Sequence, residues 1–340
     1  MIEVLAPEPD GPLPPGPASP ADVRMSVFLP TYQVARFIPD ALESLLAQTL
    51  PPHEIIVVDD GSTDDLDAAL APFLDHIVLI RQENRGAANA CNVGVRAATG
   101  DFVVLLDPDD RYFPERLERM AELAVARPDL DILTTDAFIE VEGEYTGRYN
   151  TATNPFETVD QRLGIIRTNF IFGLPAIRRT TLLTAGAFDE SMVSVFDWEC
   201  WIRLIIGGSR VGMVNEPLAA YRFRPGSLSG NRRRLLRGRI NTLTRALTLD
   251  LRPAERAAAE EGIVFAQRML ALSELHTALL EGAPDVRTRA VRVVRDNRFA
   301  VSSRVKAAAS LATPRVVRRF LARREEWRSS RPKAVRSARE

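Results

Sequence analysis

The chain has 340 residues, 46% of them hydrophobic, enough to bury a sizeable core in one large domain with an appendage or in two domains. No run of about 18 to 20 apolar residues reads as a membrane helix. The first residues lack the basic-then-apolar pattern of a signal peptide, and two cysteines, Cys91 and Cys200, give no zinc spacing and are read as structural. A formal net charge of −1 hides an asymmetry: from Arg232 onward 26 basic residues stand against 11 acidic ones, whereas the residues before it carry 18 and 34.

Residues 1–23 are rich in Pro, Gly and Ala without a period, and are expected to form a disordered leader. Met25–Leu29 is apolar and ends at Pro30, a short buried strand. Pro39–Gln48 carries Ala41, Leu42, Leu45 and Leu46 at helical spacing. A second strand, Glu54–Val58, ends in Asp59-Asp60-Gly61-Ser62. Asp65–Leu74 is helical, His76–Arg81 a third strand, Ala87–Ala98 a helix closed by Gly100, and Phe102–Leu106 a fourth strand ending at Asp107. This alternation predicts an α/β fold, a mostly parallel sheet flanked by helices, in which ligands sit beyond the carboxyl ends of the strands where strand order reverses. Three polar groups fall at such ends: Thr31 and Tyr32, Asp59 and Asp60, and Asp107 to Asp110.

Further on, Pro114–Arg127 is a helix, Asp131–Thr135 a strand, Glu140–Thr153 a polar hairpin, Val159–Arg167 a helix, Ala176–Arg178 the start of a further segment, Trp198–Ile206 a helix and Val211–Val214 a strand. Beyond Gly230 the chain is Arg- and Ala-rich with helical periodicity to about Leu321, and Arg331–Glu340 is expected to fray. The domain reading is therefore a leader (1–23), a catalytic domain (24–230) and a basic helical region (231–340).

The chemistry is carried by five groups. In Asp107-Pro108-Asp109-Asp110 carboxylates two residues apart on an extended turn can converge on a hard cation, Mn²⁺ or Mg²⁺, that bridges two phosphates. The plain alternative is a turn that caps the next helix. In Asp59-Asp60-Gly61-Ser62-Thr63-Asp64 the glycine permits a tight turn, Ser62 or Asp64 caps the following helix, and Asp60 can accept hydrogen bonds from a nucleobase. Pro30-Thr31-Tyr32 offers a ring to stack on a base and a hydroxyl to bond it, or simply packs. In Asn84-Arg85-Gly86-Ala87-Ala88-Asn89, Arg85 suits a diphosphate or is an ordinary helix entry; Asn89 and Asn92 are assigned no chemistry. Asp197, just before the Trp198–Ile206 helix, can deprotonate an acceptor hydroxyl, although spacing alone favours a helix cap; Trp198 can stack on a sugar or be core, and Trp201 is read as core.

Together, Ser26–Tyr32, Glu54–Thr63, Glu83–Gly94, Gly100–Asp110 and Gly186–Arg203 strongly resemble the family 2 glycosyltransferases, over about Met25 to Gly230. The resemblance implies a GT-A fold, inversion at the anomeric carbon, a nucleotide-diphosphate sugar donor and a divalent metal. By the same resemblance the nucleotide-sugar-binding set is Pro30, Thr31, Tyr32, Asp59, Asp60, Arg85 and Asp107, to which Arg224 is added on its own charge. Asp109 and Asp110 are the metal ligands and Asp197 the catalytic base. Two departures stand out. Phe196 precedes Asp197 where the family usually has Glu. In Tyr221-Arg222-Phe223-Arg224-Pro225-Gly226-Ser227, Arg224 stands where relatives often carry His, and is expected to contact phosphate directly.

The expected acceptor is a hydroxyl on a polysaccharide, glycolipid or secondary metabolite. No nucleic-acid partner is expected. The basic region after Gly230 suits packing on the catalytic domain, a homo-oligomer contact, or attachment to anionic lipid through Pro314–Trp327; the expected location is the cytoplasm, with the inner face of the membrane as the peripheral site. Two competing functions differ from transfer. A nucleotidyltransferase would carry a Gly-rich, Lys-containing phosphate loop near the first strand, and no Lys precedes Lys306. An inactive GT-A domain serving as a scaffold would not need Asp60, Asp109, Asp110 and Asp197.

Overall fold

The computed structural model describes residues 3–224 and 231–313. The chain forms two compact units, Met1–Gly230 with Thr242–Ala259, and Asn231–Asn241 with Glu260–Glu340. Residues 242–259 thus belong with the first unit, where the sequence places its boundary at Gly230.

In the first unit, β1 (Val4–Leu5), β2 (Met25–Thr31), β3 (Glu54–Asp59), β4 (Val78–Arg81), β5 (Phe102–Leu105), β6 (Arg111–Tyr112), β7 (Ile132–Val141), β8 (Glu144–Arg148), β9 (Ala176–Arg178) and β10 (Val211–Phe223) make one sheet. Its order is β1-β10-β7-β9-β5-β2-β3-β4, with β6 on β10 and β8 on β7. The β2–β3, β3–β4, β2–β5 and β7–β10 pairs are parallel, and β9 runs antiparallel between β5 and β7. The chain moves outward through β2, β3 and β4, then returns to β5 on the other side of β2. Strand order reverses there, and the carboxyl ends of β2 and β5 are where open α/β sheets bind ligands.

The helices of this unit are α1 (Ile38–Leu46), α2 (Leu66–Leu70), α3 (Ala87–Ala97), α4 (Arg116–Ala126), α5 (Gln161–Arg167), α6 (Arg179–Thr184) and α7 (Phe196–Ile206). In α1 the buried residues Ile38, Ala41, Leu42 and Leu45 fall three and four apart, so one stripe faces the core. In α3 a Cβ on Gly94 would lie 2.8 Å from the Phe28 ring, so this helix approaches β2 more closely than any side chain allows. The expected Asp65–Leu74 helix is instead the short α2 followed by a 3₁₀ turn, Ala71–His76, because Pro72 removes a backbone donor. A hairpin does form, but its first arm is β7, which carries the expected Asp131–Thr135 strand on to Val141; it turns into β8 at Glu142 and Gly143, both in the left-handed region.

The leader expectation is overturned. Val4 and Leu5 pair with Val214 and Met213 as an antiparallel edge strand, Arg127 Nη2 donates to the Pro7 carbonyl at 2.8 Å, and Arg210 pairs with Asp10. A Pro- and Gly-rich average conceals a two-residue apolar strand, whose pairing depends on the distant edge of β10.

The helices after β10 are α8 (Arg232–Ala246), α9 (Pro253–Glu281), α10 (Val286–Arg295) and α11 (Val301–Ala312). In the second unit Ala271, Leu275, Ala278, Leu279, Val286, Ala290, Val293, Phe299 and Ala307 share one core. Several of the arginines are ion-paired within it: Arg237 and Arg289 both reach Glu274, at 2.9 and 3.1 Å. By length and mean hydropathy α9 could cross a membrane, a test that helices of water-soluble proteins also pass. It did not read as an apolar run because Arg268 and Glu274 interrupt it. Pro225–Ser227, Pro314–Trp327 and Arg331–Glu340 lie outside the described residues.

Candidate active site

At the end of β2, Thr31 is buried; its hydroxyl donates to the Leu29 carbonyl at 3.1 Å and its own carbonyl accepts from the Asp60 N–H at 2.8 Å. The Thr31 hydroxyl thus turns into its own strand. Pro30 is half-buried in β2, and Tyr32, the next residue beyond the strand, is 49% exposed, leaving a ring face for a ligand. Asp59 accepts from the Ser62 N–H at 2.8 Å and closes the turn at Gly61.

Asp60 is almost wholly buried. Its Oδ1 accepts from Gln82 Nε2 at 2.7 Å and from the Arg85 N–H at 2.8 Å, and its Oδ2 from the Gly86 N–H at 2.8 Å. Three donors thus converge on one carboxyl group. These bonds clamp the backbone of the loop leading into α3 at Arg85 and Gly86, and the Arg85 side chain is exposed. Asp60 therefore serves this loop directly, whatever it does for a base.

The acidic turn follows β5. The Asp110 N–H donates to the Asp107 carbonyl at 2.9 Å. Asp110 is buried; its Oδ1 accepts from the Arg222 N–H at 2.7 Å, while its Oδ2 has no hydrogen-bond partner among the described residues. Burial, and then the charges of Asp107 and Asp109, push the Asp110 carboxyl well above the usual range. Asp107 is pushed up to about 7 by burial, by Asp109 and by Asp197, with Arg224 opposing. Asp109 accepts from Arg224 Nε at 2.6 Å, and that guanidinium lies 4.7 Å from the centre of the Phe37 ring. The structure thus places Arg224 on an expected metal ligand. Neighbouring Arg222 turns to Asp40 at 3.0 Å and Glu140 at 3.4 Å.

A residue the sequence reading missed supports this turn. Arg116, fully buried in α4, donates to Thr135 Oγ1 and, at 2.7 Å, to the Leu174 carbonyl, and lies 4.5 Å over the Tyr112 ring. Tyr112 in turn donates to the Leu105 carbonyl, next to the acidic turn, at 2.5 Å. The available signal was a charged residue on the apolar face of the α4 pattern, beside Leu117 and Met120.

Asp197 lies in the first turn of α7, not before it as the sequence suggested. The preceding Val195 has φ 62°, a strained conformation for a β-branched residue. Burial raises the Asp197 carboxyl, and the N–H groups at the helix start oppose this. Asn169 Nδ2 stands 3.5 Å from Asp197 Oδ2. The apolar neighbour Phe196 meets the Phe188 ring edge to face at 5.6 Å. Trp198 and Trp201 are both core, and Trp198 Nε1 donates to the Ile165 carbonyl at 2.7 Å, so neither ring faces a sugar. Cys91 and Cys200 are buried and unbridged, and burial pushes the Cys200 thiol up to about 12, as expected of a structural cysteine.

Asn89 and Asn92, given no chemistry by the sequence, join two parts of the site. Gln82 Nε2 donates to Asn89 Oδ1 at 2.8 Å; Asn89 and Asn92 donate to Glu190 at 2.7 and 2.9 Å; Asn92 also exchanges hydrogen bonds with the Phe188 backbone. The network runs from Asp60 to the loop that leads into Asp197.

Among the described residues no group of three or more His, Cys, Asp or Glu side chains forms a ready-made metal cage. Asp109 and the orphan Oδ2 of Asp110 nevertheless offer hard oxygen donors in a turn whose charges repel. That set fits a Mg²⁺- or Mn²⁺-like ion that takes its remaining ligands from phosphate and water.

The family model described as Glycosyl transferase family 2 matches residues 26–184. The chain is 31% identical over 185 residues to the uncharacterized glycosyltransferase YwdF of Bacillus subtilis, covering 53% of this chain and 68% of the relative. An uncharacterized glycosyltransferase of Haemophilus influenzae is 29% identical over 202 residues, 58% of this chain and 68% of the relative. The chain spans 58% of the length of its Rickettsia typhi relative. In fold it is similar to Staphylococcus aureus TarS 1–349, with a TM-score of 0.57 at 19% identity, covering 91% of this chain and 93% of that one. It is also similar to the mannosyltransferase PcManGT of Pyrobaculum calidifontis, solved with GDP-Man and Mn²⁺, with a TM-score of 0.55 at 19% identity, covering 92% and 87%. The motifs at the strand ends, the order of the sheet and these relatives agree: this chain belongs to glycosyltransferase family 2.

Proposed function

We propose that this chain moves one sugar, with inversion, from a nucleotide-diphosphate sugar to a hydroxyl acceptor, assisted by Mn²⁺ or Mg²⁺. The observation that carries the reading is the acidic turn at the carboxyl end of β5, where the buried Asp110 turns one oxygen to the Arg222 N–H and leaves the other without a hydrogen-bond partner among the described residues; the charge of Asp197 also bears on this turn, at Asp107. In this reading Asp197, its affinity for a proton increased by burial, takes the acceptor's proton as the hydroxyl attacks opposite the diphosphate. Tyr32 stacks on the base, and Arg85, held by Asp60, faces the diphosphate. Asp109 and Asp110 would hold the divalent ion, which when bound neutralises the leaving diphosphate. Solved structures of similar fold are bound to UDP-GlcNAc, for TarS, and to GDP-Man with Mn²⁺, for PcManGT, which supports this donor class. The acceptor is a polysaccharide, a glycolipid or a secondary metabolite.

One observation favours a second reading, a catalytically inactive binding subunit: Arg224 already occupies Asp109. Thermal stability of the purified protein with UDP, GDP, TDP, CDP and ADP, each with and without Mn²⁺, separates the two. A specific ligand at 100 times its Kd adds about 2.7 kcal/mol. Transfer predicts a Mn²⁺-dependent rise with one nucleotide that Asp109→Ala removes; no rise with any nucleotide favours the inactive subunit.

A further inference from the structure

We propose that Arg224 is a built-in counter-cation of the acidic turn that competes with the divalent metal for Asp109, so that metal binds well only when a nucleotide diphosphate offers Arg224 another partner. The proposal rests on the metal-assisted reading above. Arg224 is held from two sides, by Asp109 Oδ2 at 2.6 Å and by the Phe37 ring at 4.7 Å. Both members of the pair are largely shielded, with side chains 28% and 16% exposed, so solvent screens them little. Arg222, whose guanidinium is also 5.5 Å from Phe37, is committed to Asp40 and Glu140 and cannot substitute for it.

The physics is a choice between two cations for one carboxylate. Arg224 cannot ligate a metal, so an ion reaching Asp109 Oδ2 must displace the guanidinium. Displacement returns Arg224 to water unless another anion accepts it. A diphosphate is such an anion, and a guanidinium fork bonds phosphate oxygens in pairs. Metal and nucleotide are therefore coupled through Arg224, and by linkage each strengthens the other by the same factor. A histidine at this position would ligate the ion and produce no such competition.

The test is Mn²⁺ binding to the 340-residue chain, read by electron paramagnetic resonance, with and without the nucleoside diphosphate that raises thermal stability most. Without nucleotide, Arg224→Ala is expected to bind Mn²⁺ about tenfold more tightly than the parent, the scale of one charge-assisted hydrogen bond. Arg224→Lys should stay near the parent, and Asp109→Asn added to Arg224→Ala should abolish the gain. Phe37→Leu, which removes the ring that seats the guanidinium, should give a smaller gain in the same direction. The factor by which nucleotide tightens Mn²⁺ should shrink in Arg224→Ala. Unchanged or weaker Mn²⁺ binding by Arg224→Ala, with Phe37→Leu also unchanged, overturns the competition. Absence of Mn²⁺ binding in every variant, with nucleotide stabilisation retained, overturns it too but leaves sugar transfer standing. Loss of nucleotide stabilisation in the parent instead refutes the transfer reading.

Discussion

The acidic turn gives the protein a stability that falls as pH rises. Asp107 has an ordinary value near 3.8 and is pushed up to about 7 in the fold. Below 3.8 the group is protonated in both states and contributes nothing. Between 3.8 and about 7 the folded state holds the extra proton, so stability drops as pH climbs, and above 7 the full penalty applies. A shift of three units corresponds to at most about 4 kcal/mol. Asp110, raised by burial and then by Asp107 and Asp109, acts in the same direction. The perturbation is Asp107→Asn, which removes one charge and relieves Asp110. The assay is urea unfolding in EDTA at pH 5, 6, 7 and 8, followed by the fluorescence of the buried Trp198 and Trp201. The variant is expected to gain on the parent steadily from pH 5 to pH 8, and saturating Mn²⁺ with nucleotide should narrow the gap. Parallel pH curves for the two proteins would refute the electrostatic account of the turn.

Asp197→Asn should lower kcat about 10²- to 10⁴-fold with nucleotide-induced stabilisation intact; a retained kcat would remove Asp197 from the chemistry. The acidic limb of the parent's kcat/KM profile, where activity is lost as the base is protonated, should titrate above the ordinary carboxylate range, since burial raises Asp197. Arg116→Met leaves Thr135 and the Leu174 carbonyl without their donor in the core, at about 1–3 kcal/mol each, so its urea midpoint should fall clearly below the parent's. For the basic residues after Gly230, co-sedimentation with vesicles containing anionic lipid, and none with neutral vesicles, is the result expected of membrane attachment; equal recovery from both would eliminate it.

How much of this was legible beforehand depended on how local the cause was. The strand-to-turn rhythm from Met25 to Asp110 rests on residues adjacent in sequence, so the parallel β2-β3-β4 and β5 strands and the polar groups at their ends could be read directly. Val4–Leu5 could not, because a two-residue strand exists only against the Val214 edge of β10. The chemical roles divided the same way. Asp109, Asp110 and Asp197 were picked out by motif, and the structure adds that Asp197 sits inside α7 and shares a field with Asp107, 90 residues earlier.

Sequence by itself determined the fold class, the family and the residue types available for chemistry, since periodicity, turn residues and motif order are properties of neighbouring positions. The tertiary structure alone decided what those side chains touch. It committed Asp60 to the Arg85 loop, turned the Thr31 hydroxyl inward, linked Asn89 and Asn92 to Glu190, buried Arg116 under the acidic turn, and set Arg224 on Asp109. Those partners are separated by up to 115 residues along the chain, and only the closing of the sheet brings their charges within hydrogen-bond distance.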